Sequence, residues 1–163
     1  MLSLAFMTAA ASVAEQMEPA RHGKLQCQMP DALFKTCLSL SKVVQTGPST
    51  YGFETQMLVD AKGPVIVTLR STATVRGQEV CDRGDAYDWS GADVTVAGKT
   101  LPAASAARRL SSFRRAFTAL QGTEICTQIV STGDGMEKVI GRVAGKRMPA
   151  VDYDMIWVDP DEG

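Results

Sequence analysis

Histidine is almost absent from this 163-residue chain, and His22 is the only one. A Ser-His-Asp triad would have to draw on that residue, in a polar stretch near the chain start where preorganisation is poor. A Cys/His zinc site meets the same shortage, and no two cysteines stand as C-x-x-C. The G-x-S-x-G elbow, H-E-x-x-H and glycine-rich phosphate loops are all missing. Neither sign of charge dominates: 17 Lys and Arg face 18 Asp and Glu, for a net charge of -1. The chain therefore lacks the basic field that drives binding to nucleic acid, and no nucleic-acid partner is expected. Long apolar runs are missing too. The longest covers residues 2–14 and falls short of the roughly 20 residues a membrane span needs, so no transmembrane segment is expected.

That short run is the most informative feature present. It closes on Ser12-Val13-Ala14 ahead of Glu15-Gln16, an A-x-A-like cleavage site, and residues 1–14 read as a signal peptide. One element is lacking, because no basic residue precedes Arg21. The alternative is a retained N-terminal helix, with Leu2, Phe6, Ala9, Val13 and Met17 at helical spacing. Residues 15–24 read as a polar, flexible segment, and 25–163 as a single domain large enough to bury a core of its own.

Four cysteines, an even number in a chain that reads as exported, point to two disulfides and a periplasmic or secreted location. Of three possible connectivities, Cys27–Cys37 and Cys81–Cys126 are expected. They would contribute about 3 and about 4 kcal/mol by chain entropy.

Alternating or β-rich runs predict strands at 37–44, 51–59, 65–75, 94–96, 125–130, 137–143 and 153–158. Residues 77–91 read as a loop. A helix is predicted over 103–121, with Pro102 at its start and Gly122 as its stop; Ala106, Leu110, Phe113, Phe117 and Leu120 fall on one face. Long hairpins imply antiparallel pairing. The fold expected is therefore α+β, a curved antiparallel sheet with one main amphipathic helix packed across it.

The candidate binding residues are Arg108, Arg109, Arg114 and Arg115, four guanidinium groups on the helix suited to an anionic ligand or surface. Such arginines also ordinarily cover the edge of an apolar face with their stems. Asp82, Asp85 and Asp88 recur every third residue, but without EF-hand spacing or its closing Glu, and no metal or cofactor is expected. Arg83-Gly84-Asp85 matches an adhesion tripeptide, a motif short enough to arise by chance. Trp157 reads as core and Trp89 as partly exposed. The expectation for function is an exported, non-catalytic binding or assembly domain, with an unknown protein or anionic ligand as partner. The alternatives are a small secreted hydrolase using acidic residues, an inhibitor of a secreted enzyme, and an anion- or lipid-binding domain.

Overall fold

A computed structural model describes residues 11–118 and 120–161. Its strands are β1 (Leu25–Asp31), β2 (Thr36–Gly47), β3 (Thr50–Asp60), β4 (Val65–Arg76), β5 (Glu79–Arg83), β6 (Asp88–Val96), β7 (Lys99–Thr100), β8 (Glu124–Ser131), β9 (Glu137–Val143), β10 (Lys146–Arg147) and β11 (Tyr153–Val158). Helical segments are α1 (Val13–Gln16), α2 (Glu18–Arg21) and α3 (Ala103–Thr118), with a 3-10 turn at Pro149–Val151.

The strands β3-β2-β1-β11-β9-β8-β5-β4 pair in that order, and β4 pairs back to β3, so the circuit closes. Every pair is antiparallel. The result is a closed eight-stranded barrel, 55% strand and 17% helical, and the expected α+β fold, a curved antiparallel sheet with one main helix across it, is wrong. Two strands absent from the sequence reading make the difference. β1 joins β2 to β11, and β5 joins β4 to β8. Without those two links the same hairpins would form an open sheet with unpaired edges. The predicted loop at 77–91 is in fact a tight turn, then β5, then a short connection into β6.

Helix α3 does not lie across the barrel sheet. The edge of β4 is shared: Thr74–Arg76 pair with β5, while Val65–Arg70 pair with β6. Leu110 and Ala106 of α3 pack on Val65, Val67, Leu69 and Val94 of that extension, as the apolar spacing requires.

One end of the barrel is filled by Val43, Tyr51, Ala73, Val80, Ile129, Val139 and Met155, with Val13 and Met17 packed among them. Val13 and Met17 are each 2% exposed. Ser12 and Glu15 form a capping box, the hydroxyl accepting from Glu15 N and the carboxylate accepting from Ser12 N at 2.6 Å. Gln16 Nε2 donates to Ile129 O at 2.8 Å and ties this turn to β8. The four residues read as a cleavage site thus also carry the local chemistry of a helix start. Residues 1–10, most of the signal-peptide reading, lie outside the described residues.

The disulfides are Cys27–Cys37 and Cys81–Cys126, the two expected pairs. Cys81 and Cys126 are direct cross-strand neighbours, with Cα atoms 4.0 Å apart. Among the described residues no helix is long and apolar enough to cross a membrane.

Candidate functional site

Beyond the filled end, the barrel holds a cavity of about 300 Å³. Side chains alternate along a strand, so every second residue points inward. The inward positions here are Gln26 and Gln28 of β1, Ser39 and Ser41 of β2, Thr55 of β3, Ser71 of β4, Asp82 of β5, Thr127 of β8 and Tyr153 of β11. Phe53, Met57, Leu69 and Ile125 supply apolar wall, and Ala73 and Val80 form the floor shared with the filled end.

The polar residues form a connected column. Ser39 Oγ donates to Gln28 Oε1 at 2.8 Å, Gln28 Nε2 donates to Ser41 Oγ at 3.3 Å, and Ser41 and Thr55 hydroxyls meet at 2.8 Å. Ser41 is fully buried and Ser39 nearly so. Satisfied networks of this kind tolerate a low dielectric, whereas single buried polar atoms do not.

Asp82 is such a single atom. Its Oδ1 is buried without a hydrogen-bond partner, and its Oδ2 receives only a long contact from the Tyr87 hydroxyl at 3.5 Å. Burial pushes its carboxyl up to about 6, against a smaller opposing effect of the Tyr87 hydrogen bond. The neighbouring phenols respond in turn. Burial and then the Asp82 charge push Tyr153 up to about 12, and burial first and then Asp82 raise Tyr87 as well. No Lys, Arg or His side chain is among the described residues lining the cavity.

An aromatic cluster covers this end. Phe117 of α3 stands 5.1 Å from Tyr87 and 5.3 Å from Trp89, ring centre to ring centre, and both Phe117 and Tyr87 line the cavity. The cover is pinned at Gly84. A Cβ there would lie 2.1 Å from the Leu120 carbonyl oxygen, so only glycine lets the loop after β5 seat against the turn that follows α3. Val151 of the 3-10 turn closes the side by packing onto Gly141, where an added Cβ would meet its Cγ2 at 2.2 Å.

Of the residues singled out in the sequence, all but Asp82 lie elsewhere. Arg108, Arg109, Arg114 and Arg115 are all exposed on α3. Arg108 reaches Ser105 Oγ at 3.4 Å, and Arg114 lines a shallow surface pocket with Asp85 and Trp89. None lines the lumen. Asp82, Asp85 and Asp88 do not converge on one site: Asp82 lines the lumen and, with Asp85, a pocket on the outer rim, Asp85 pairs with Arg83 at 3.4 Å, and Asp88 accepts from Ser90 N and Gly91 N at 3.0 Å each. His22 is exposed beside Glu18. Glu79, Cys81 and Cys126 sit close enough to hold a metal, but the two sulfurs are bonded to each other. Sequence reasoning missed the lumen residues, apart from Asp82, because serine, threonine and glutamine carry no motif.

No family model matches this chain, and no curated protein or solved structure matches it either. Any functional reading rests on the lumen itself. Its lining holds a single carboxylate among the described residues, whereas glycosidase-type hydrolysis needs two flanking the scissile bond. The wall is concave and mixed, with a few convergent polar groups, as the walls of ligand pockets commonly are.

Proposed function

We propose that this protein is a non-catalytic binding protein that holds a small molecule in its barrel lumen and works outside the cytosol. The observation that carries the reading is the cavity of about 300 Å³ inside a closed barrel, lined by a hydrogen-bonded polar column and an unpartnered carboxylate. Eight strands make a barrel just wide enough to be filled by side chains or to hold one small ligand. Here one end is filled and the other is not. A cavity of this volume lies at the lower end of the range for ligand sites. The two disulfides support the compartment, since such bonds persist in oxidising surroundings.

The test is native mass spectrometry of protein recovered gently from its own source, joined to a thermal-shift screen of small molecules. A co-purifying adduct, or a ligand that raises Tm, is expected, and Ser71→Phe should abolish it by filling the lumen. No adduct and no shift across the screen would overturn the reading. Alkylation of the cysteines without prior reduction, in protein from the native compartment, would overturn the assignment outside the cytosol.

A further inference from the structure

Asp82 makes the lumen chemically one-sided. It is a carboxylate in a cavity whose other lining residues are neutral, and its Oδ1 has no partner. A buried charge ordinarily persists only when paired. Nothing among the described lining residues supplies the pair. Phe53, Tyr87, Phe117 and Tyr153 line the same space, and the faces of such rings attract positive charge through their quadrupoles.

We propose that the lumen takes a small organic cation, an amine with an apolar body, whose nitrogen pairs with the Asp82 carboxylate while its body lies against Phe53, Leu69 and Phe117. This deepens the lumen-binding reading and rests on it. The N–H···O⁻ contact is charge-assisted, and the low-dielectric wall around it strengthens it over the same contact in water. The raised pKa of Asp82 supports the assignment, because the group stays charged at neutral pH at a cost that a cation would relieve. Tyr87 and Tyr153 are the titratable groups facing it inside the barrel, and both stay neutral at that pH. On the outer rim beside it, Arg76 pairs with Glu124 at 2.5 Å and Arg83 with Asp85 at 3.4 Å. Those charges are satisfied among themselves.

Calorimetric titration with 2-phenylethylamine and 2-phenylethanol, matched in size and differing in charge, tests the inference. At about pH 7.5 the amine should bind about tenfold or more tightly than the alcohol. The preference should collapse at about pH 4.5, where Asp82 is protonated, and in Asp82→Asn at either pH. The pH arm uses the unaltered protein and so stands even if the variant folds poorly. Equal binding of the two probes overturns the cation inference and leaves the lumen reading intact. An amine preference that survives in Asp82→Asn also overturns it. If neither probe binds, the inference falls, and the mass-spectrometric result above decides the lumen reading separately.

Discussion

At the end of the barrel beneath α1, inward positions carry Val43, Ala73, Val80, Ile129 and Met155. Two residues along the same strands and on the same face stand Ser41, Ser71, Asp82, Thr127 and Tyr153. Five strands change from apolar to polar between one inward position and the next. The first ring packs against Val13 and Met17 and leaves a dry core, while the second leaves room and lines it with hydrogen-bonding groups. The barrel's stability is concentrated in the first ring and its chemistry in the second. A protein that needed only to fold would gain by continuing the apolar ring, since burying a polar group yields less than burying an aliphatic one. The polar ring includes one residue, Asp82, that opposes folding at neutral pH, as groups at functional sites often do.

The sharpest break in this comparison is at Met155, which is 1% exposed at the centre of the filled end. Met155→Ala should cost about 2–5 kcal/mol through lost transfer energy and the cavity left behind. Denaturant unfolding measures it, and a loss under about 1 kcal/mol would mean that the two ends are not energetically distinct.

Asp82→Asn should act in the opposite direction. The folded-state pKa is raised from 3.8 to about 6, so the folded barrel holds that proton more tightly than the unfolded chain. The native state is thus penalised as pH rises from about 4 through 6, with the full penalty above that window and none below it. About two pKa units correspond to roughly 3 kcal/mol. The variant should therefore be more stable than the parent above about pH 7, by as much as that figure less the cost of placing an amide in the cavity. The gain should vanish by about pH 4. A gain that does not change with pH would show that Asp82 is solvated, and would erase the contrast between the two rings.

The same contrast explains what the sequence concealed. The hairpin β3–β4 is legible because Tyr51, Phe53, Met57 and Val59 share one face of an alternating run; the first three lie in the core or the cavity wall, while Val59 near the strand end is exposed. The expected strand 37–44 lies within β2. The helix was legible from Ala106 and Leu110. β1 and β5 were not. Their inward residues are Gln26, Gln28, Val80 and Asp82, three of the four polar, so a search for apolar alternation passes over them. Those strands close the barrel and also line the cavity, and the polarity of their inward faces hides them. With them missing, the remaining hairpins could only be read as an open sheet with the helix across it. The arginines of α3 attracted attention because charge clusters are conspicuous in a sequence, while a ring of serines, threonines and glutamines becomes a site only when a barrel brings it together.

The smallest effect expected concerns the plug on the filled end. Ser12 caps a helix of four residues, and its hydroxyl and Glu15 satisfy each other's backbone donors. In the full 163-residue chain, Ser12→Ala should cost about 0.5–1 kcal/mol, read as a small fall in Tm. Ser12→Asp should restore most of it, because Asp caps as well as Ser does. The effect reaches the barrel through Val13 and Met17, which share a core cluster with Ile129 and Met155, and through the Gln16 hydrogen bond to Ile129 O. If Ser12→Ala left Tm unchanged while Met17→Ala lowered it markedly, the plug would be held by apolar packing alone. The filled end would then owe its dryness to one buried side chain rather than to an ordered turn.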